Sequence, residues 1–386
     1  MTENNQVIRD KIKKLKSEAG SHSPSIFTYK QKIPELQIKV DACFLSNPYA
    51  TELFLKYFKE EILDTNKIRD LLEFYPSQNN IIAELLADFL NINSENIFIG
   101  NGAIEVIQAV IHNFTKTKIA ICIPTFSSYY EFVKPGTDIC YYKLQKSENY
   151  ELNIENYLTF VENEKPDTVV LINPNNPNGA YINRENVASL LSKLRHVNTV
   201  ILDESFIHFA YEDDSYKMVS MAQLINDYPN LVVLKSMSKD FGIAGIRAGY
   251  GIMSKERVTT LLANGYLWNS NGFSEYFFRL YTRADFAYHY NEVRVKYIME
   301  TMDFIEKLKT IKNIKIYPSK ANFILVELLG DIKSDVFVAD MLINHGIYLR
   351  TCSDKIGLEG EYIRLASRNK SENDYIISCF EATFNK

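Results

Sequence analysis

The 386-residue chain contains no apolar run approaching the roughly eighteen residues a membrane-spanning helix requires. Its opening stretch, MTENNQVIRDKIKKLKSEAG, is polar and charged where a secretion signal needs an apolar segment, so a cytoplasmic location is expected. The cysteines Cys43, Cys122, Cys140, Cys352 and Cys379 form no C-x-x-C pair and have no histidine at metal-ligand spacing. That pattern argues against a zinc site and a disulfide framework, and it predicts free thiols in a reducing compartment. Excess charge of one sign is also missing: 43 basic against 48 acidic residues leave a net charge of -5. No electrostatic footprint for nucleic acid or an anionic membrane follows from that balance. Internal repeats, low-complexity tracts and Gly/Ser linkers are absent, so any lobes should pack together rather than hang on tethers. Two nucleotide signatures fail as well, since GNGAIE lacks the third glycine of the dinucleotide fingerprint and no G-x-x-x-x-G-K-[ST] occurs.

What the chain does have is apolar residues enough for a large core, at 46% hydrophobic and 13% aromatic. The runs KIAICIP, DTVVLINP, NTVILDESF and NLVVLKS are β-branched and apolar at successive positions, as strands buried on both faces of a parallel sheet are. Between them, GAIEVIQAVIHNF and RENVASLLSKLR carry apolar residues at helical spacing. AYHYNEVRVKYIMETMDFIEKLKT reads as one long amphipathic helix, and IKIYPSKANFILVEL after it alternates like strands of a separate, smaller sheet. The expected fold is α/β, with a mostly parallel central sheet flanked by helices and a smaller α+β domain. Residues 1–50 are assigned to an N-terminal arm and part of the small domain, 51–284 to the large domain, and 285–386 to the C-terminal small domain.

Open parallel sheets bind ligands at the carboxyl ends of their strands, and four such places stand out. FIGNGAIEVIQ should end a strand at Ile99 and open a helix at Ala103, aiming the amides of Gly102, Ala103 and Ile104 at an anion. LINPNNPNG places Asn176 after one buried strand, and ILDESF places Asp203 at the end of the next. VVLKSMSKDFGIAGIRAGYG sets Ser236, Ser238, Lys239 and Arg247 on a small-residue loop after a third. Each residue alone has an ordinary structural explanation as a turn, cap or solvated side chain. Together they meet the needs of pyridoxal 5'-phosphate: an amine to join the aldehyde, a carboxylate for the pyridine nitrogen, a donor at the ring oxygen, and a phosphate cup. Lys239, Asp203, Asn176 and the group Ser236, Ser238, Arg247 with the 102–104 amides fill those roles in turn.

The order of these motifs resembles the fold type I aminotransferases of class I/II, in which D-E-x-[YF], S-x-S-K and an arginine eight past the lysine follow one another. Within that family the chain is most similar to the histidinol-phosphate aminotransferase and threonine-phosphate decarboxylase branch. The resemblance implies that Tyr75, in EFYPSQ, reaches the cofactor phosphate of a neighbouring subunit, making a homodimer with shared sites. It also implies that Phe126, in PTFSSYYEF, stacks on the pyridine ring. By the same pattern Arg364 clamps an α-carboxylate and Arg350 meets a substrate phosphate, with Arg368 a weaker addition. One departure is visible: DESF puts Phe206 where the family usually has tyrosine, which leaves Asn176 as the main ring-oxygen partner. His208 is read as a structural histidine more readily than as part of the pocket.

Two cationic positions beyond the cup favour a small phosphorylated amine, amino acid or keto form. The function expected is transamination with glutamate and 2-oxoglutarate as partners and Lys239 moving the proton. The alternative is decarboxylation of an O-phospho amino acid, towards which YLRTCSDKIGLEGEYIRLASR and LWNSNGFSEYF lean. A cofactor-free binding protein on the same fold is the contrasting class.

Overall fold

A computed structural model describes residues 3–266 and 269–384. Leu267 and Trp268, which open the LWNSNGFSEYF segment, lie outside the described residues. After a short strand β1 (Val40–Asp41), the chain builds a seven-stranded sheet. Its members are β2 (Ile97–Asn101), β3 (Lys118–Ile123), β4 (Asp138–Lys143), β5 (Thr168–Ile172), β6 (Thr199–Asp203), β7 (Leu231–Ser236) and β8 (Ala248–Ile252). They lie in the order β2-β8-β7-β6-β5-β3-β4. Only β8 runs antiparallel to its neighbours, so the four β-branched runs are adjacent parallel strands.

Their continuous apolar character has a direct cause. Alternate side chains of each strand point to opposite faces, and both faces are covered. Val169, Leu171, Val200, Leu202 and Val233 enter one core with the helices Asn79–Leu90 and Arg184–Lys193. Val170, Ile172, Ile201, Val232 and Leu234 enter another, beneath Val106, Ile107 and Val110 of the helix Ala103–Phe114. In register, Ile172 pairs with Asp203 and Asp203 with Leu234, which brings the carboxyl ends of β5, β6 and β7 to one edge.

A second sheet follows the long helix Ala284–Lys309. It is made of β9 (Ile314–Ile316), β10 (Phe323–Leu328), β12 (Arg350–Thr351) and β13 (Tyr362–Ala366), in the antiparallel order β12-β13-β10-β9. The intervening β11 (Ile347–Tyr348) pairs in parallel with β1, so the N-terminal segment is fastened to the C-terminal part. The long helix spans roughly 39 Å at 1.5 Å per residue. It gives Phe286 and Tyr290 to a core of the large sheet, and Phe304 and Leu308 to the core of the small one. Among the described residues no helix is long and apolar enough to cross a membrane.

Two local expectations are corrected. β2 does not stop at Ile99 but continues to Asn101, because Gly100 and Asn101 still pair with Gly249 and Ala248 of β8. β10 does not alternate: all six of its residues are buried, since β9 and β13 flank it and side chains pack on both of its faces.

Candidate active site

The carboxyl edge of the large sheet opens into a cavity of about 310 Å³ that also reaches the small sheet. Lys239, Asp203, Asn176, Ser236, Ser238 and Arg247 line it, all from the ends of β5, β6 and β7 or the loop after β7. Ala103, Ile104 and Phe126 join them from the other side of the same edge, and Arg350 and Arg364 come from the small sheet. Gly102 and Tyr75 are not among the lining residues.

Backbone geometry explains the anion cup. Gly102 has φ +82°, and a methyl group built on it would lie 2.5 Å from Nη2 of Arg247. Glycine is therefore what lets the guanidinium lie against the turn. Arg247 is itself left-handed at φ +62° and donates from Nη1 to the Ala244 carbonyl at 3.1 Å. Of the three amides expected to face an anion, that of Gly102 is already used, donating to the Gly100 carbonyl at 2.8 Å. The three-residue turn centred on Asn101 closes this bond, so Ala103 and Ile104 in the first helical turn are the amides left for an anion.

Asp203 is buried, and both its oxygens have fixed donors: the Ser205 amide to Oδ1 and the Tyr129 hydroxyl to Oδ2, each at 2.8 Å. Burial raises its carboxyl above the usual range, while Ser205 and Tyr129 pull it back. Tyr129, fully buried, was not singled out by sequence reasoning, although its hydroxyl lies only three residues past Phe126 in PTFSSYYEF. The Lys239 amine, with no hydrogen bond or ion pair among the described residues, is pushed down to about 8, first by desolvation and then by Arg364 and Arg247. An amine so placed carries a far larger neutral fraction near physiological pH than an ordinary lysine, and the neutral form is the one that attacks a carbonyl.

Arg350 and Arg364 stand opposite each other in the β12–β13 ladder, so both side chains leave the same face of the sheet. Arg364 donates from Nη1 to Asn176 Oδ1 at 2.8 Å and from Nη2 to the Cys43 carbonyl at 3.0 Å. Its buried Nε has no hydrogen-bond partner among the described residues. Arg350 donates from Nη2 to Asp354 at 2.6 Å and to the Ser21 carbonyl at 2.8 Å. Next to it lies Lys355, a buried amine that desolvation and then Arg350 push down to about 8. Lys355 and the N-terminal residues Ser21, His22 and Ser23 line the cavity and were missed by the sequence reading. Phe206 also lines it, packing edge-on against Phe323 at 4.9 Å between ring centroids.

Two other candidates lie elsewhere. His208 is buried behind the cavity, hydrogen-bonded to the Tyr290 hydroxyl at 2.9 Å and 3.4 Å from Asp240. Burial first, then Lys235 and Arg294, hold its pKa well below the ordinary histidine value, so it is a neutral structural residue. Arg368 donates to the Ser46 carbonyl at 3.2 Å and faces Glu372 at 3.5 Å, outside the lining.

The family profile described as aminotransferase class I and II matches residues 44–379. The chain belongs to this family, whose members work through pyridoxal 5'-phosphate. L-serine phosphate decarboxylase of Campylobacter jejuni is 61% identical over 96% of this chain and 95% of its own length. L-serine phosphate decarboxylase of Sulfurospirillum multivorans is 48% identical over 95% and 94%. A solved structure of a decarboxylase from Sulfurospirillum multivorans superimposes with a TM-score of 0.95 at 47% identity, covering 99% of this chain and 97% of that one. Histidinol-phosphate aminotransferases and threonine-phosphate decarboxylases match as well, which bears out the branch named from the motifs.

These similarities overturn the expectation of transamination, because the relatives at 61% and 48% identity are named as decarboxylases of a phosphorylated amino acid. The physical reason for the error is that lysine, aspartate, asparagine and cup serve both reactions alike.

Proposed function

We propose that the protein is a pyridoxal 5'-phosphate-dependent decarboxylase of O-phospho-L-serine, releasing carbon dioxide and O-phosphoethanolamine with uptake of one proton. The observation that carries this reading is a second cationic rim beyond the phosphate cup, made by Arg364 with its unpartnered buried Nε, Arg350 and Lys355. A buried guanidinium nitrogen without a partner is a costly arrangement unless an anion completes it. The names of the Campylobacter and Sulfurospirillum relatives supply the substrate.

The residues fit the cofactor. Ser236, Ser238, Arg247 and the Ala103 and Ile104 amides would hold its phosphate, where a side chain at Gly102 would displace Arg247. Asp203 would meet the pyridine nitrogen, Asn176 Nδ2 the ring oxygen, and Phe126 the ring face. When bound, the cofactor supplies a conjugated ring that takes up the electron pair left as the bond to the carboxyl carbon breaks. Lys239 then delivers a proton to Cα. Loss of carboxylate rather than of the Cα proton requires the carboxyl bond to stand across the ring plane. In this reading Arg364 therefore shares the phosphate with Arg350 and Lys355 instead of clamping the α-carboxylate. The substrate lies between a large part, residues 51–284, and a smaller part formed by 285–386 with the arm 1–50.

The proposal includes a homodimer. Leu72, Phe74 and Tyr75 are 70%, 64% and 89% exposed around one turn, an apolar surface suited to a second copy. There Tyr75 would reach the partner's cofactor phosphate. All five cysteines are free, as suits a cytoplasmic protein.

Incubation of the holoenzyme with O-phospho-L-serine, scoring carbon dioxide and O-phosphoethanolamine without added 2-oxoglutarate, tests the reaction. No carbon dioxide, or turnover that depends on 2-oxoglutarate, would sink it.

A further inference from the structure

The helix Glu3–Glu18 is anchored away from the cavity. Ile8, Ile12 and Leu15 share a core with Ile33, Ala339 and Leu342, and Arg9 pairs with Asp340 of the helix Ser334–His345. From its last turn the chain runs through residues 19–24, of which Ser21, His22 and Ser23 line the cavity. Lys16 folds that stretch, donating from Nζ to the Gly20 carbonyl at 2.7 Å and to the His22 carbonyl at 2.8 Å. It also stands 3.9 Å from Asp354.

The turn held in this way touches both walls of the site. On the small-sheet side, the Ser21 carbonyl accepts from Arg350 Nη2 at 2.8 Å, and the Pro24 carbonyl accepts from the Tyr348 hydroxyl at 2.8 Å. On the large-sheet side, the Ser21 hydroxyl meets the Glu131 carboxylate and accepts from Ser127 at 3.1 Å. His22 lies 3.4 Å from Glu131, with its ring 6.3 Å from that of Phe126. Ser21, His22 and Ser23 all face the cavity.

We propose that Lys16 is a positioning residue for the substrate anion: it shapes the 20–22 turn so that the Ser21 carbonyl fixes Arg350 and the turn closes the mouth. The proposal rests on the phospho-amino acid reading. A guanidinium has five N–H donors. Arg350 spends three on Ser21, Asp354 and the Thr351 carbonyl, so its remaining two have a fixed direction. Without Lys16 the two carbonyls it gathers repel one another, the turn opens, and Arg350 keeps only Asp354 and Thr351 as guides. Water then reaches the rim and weakens the grip on a dianion, while the cofactor cup, built on β7 and the helix Ala103–Phe114, is untouched.

The test compares wild-type and Lys16→Met holoenzyme, reading ligand binding from the cofactor's visible absorption and opening of the turn from hydrogen exchange at residues 20–23. Lys16→Met should weaken O-phospho-L-serine about tenfold, leave L-serine within twofold, and speed exchange at 20–23. Lys16→Arg, which keeps charge and donors, should recover most of the loss. An unchanged preference for O-phospho-L-serine over L-serine in Lys16→Met would overturn the proposal. Should wild type itself not prefer the phosphorylated ligand, the substrate reading falls, and unchanged exchange at 20–23 then decides against Lys16 separately. If Lys16→Met does not fold, Glu131→Gln, which frees the other side of the turn, is read by the same ligand ratio and exchange.

Discussion

Replacing Tyr129 by phenylalanine removes a single oxygen, and what that oxygen does is defined by the structure. Its hydroxyl donates to Asp203 Oδ2 at 2.8 Å, with the tyrosine fully buried and the carboxylate buried at the lining of the cavity. A hydrogen bond to a charged group is worth about 1.5–3 kcal/mol. At about 1.4 kcal/mol per factor of ten, its loss raises the proton affinity of Asp203 roughly ten- to a hundredfold. Phenylalanine fills the same space among Ile107, Ile121 and Ile172, so the fold should be retained. The sign is fixed by the role: the ionised carboxylate is the form that holds the pyridine nitrogen, and burial already favours the neutral form. Without Tyr129 the carboxylate is lost at a higher pH on the way down, and the acid limb of kcat/KM moves up. The assay is a pH profile of decarboxylation, with a parallel titration of the cofactor's absorption. At the alkaline end of the profile the variant should approach wild type, and it should fall progressively further behind as the pH is lowered. A profile lowered equally at every pH would refute the reasoning, since Tyr129 would then act on shape and not on the charge of Asp203.

Asp203→Asn should remove turnover yet stabilise the protein before cofactor is added. A carboxyl whose folded pKa is raised contributes stability that is complete below its unfolded pKa, about 3.9, and is lost as pH rises through the raised value. Melting of the cofactor-free forms should therefore favour the asparagine variant increasingly as the pH rises above the unfolded carboxyl value, and a melting difference that does not change with pH would contradict this. Because the Lys239 amine sits near 8, attachment of pyridoxal 5'-phosphate to the cofactor-free protein should quicken up to about pH 8 and then level off. Lys239→Ala should abolish attachment and turnover, and borohydride labelling of any other lysine would reassign the site. Gly102→Ala sets a methyl group 2.5 Å from Arg247 Nη2 at φ +82° and ψ 161°, a backbone region open to little but glycine, with a strain of about 1–3 kcal/mol. Cofactor dissociation should rise about tenfold, and an unaltered affinity would mean that Arg247 does not form the cup.

The large sheet was legible because its information is local. Thr168–Ile172 and Leu231–Ser236 are buried on both faces, and the composition of each run reports that burial directly. The helix Ala284–Lys309 was legible for the same reason, through its own period. β1 was not: two residues, Val40 and Asp41, become a strand only because Ile347 and Tyr348 lie beside them, three hundred residues away. The burial of β10 likewise depends on what packs over it, which no alternation within FILVEL can announce.

The site divides along the same line. Asn176, Asp203, Ser236 and Lys239 sit at or just past strand ends, so a strand and its next few residues were enough to find them. Tyr129 reaches Asp203, and Lys355 the cavity, only through the packing of other elements, and Ser21 only through the fold of the N-terminal helix. The reaction branch was misjudged for a related reason. SMSKDFGIAGIRAGYG is close to the aminotransferase pattern, but under the proposed function every residue in it that faces the cavity serves the cofactor, and the cofactor serves both reactions. Information on which bond to Cα breaks has to lie where the substrate's anionic groups are held. Under the proposed function that is the strand pair carrying Arg350 and Arg364 with the turn that delivers Lys355, the stretch YLRTCSDKIGLEGEYIRLASR. That segment leaned towards the decarboxylases, and it outweighs the lysine-bearing motif because that motif is silent on the choice.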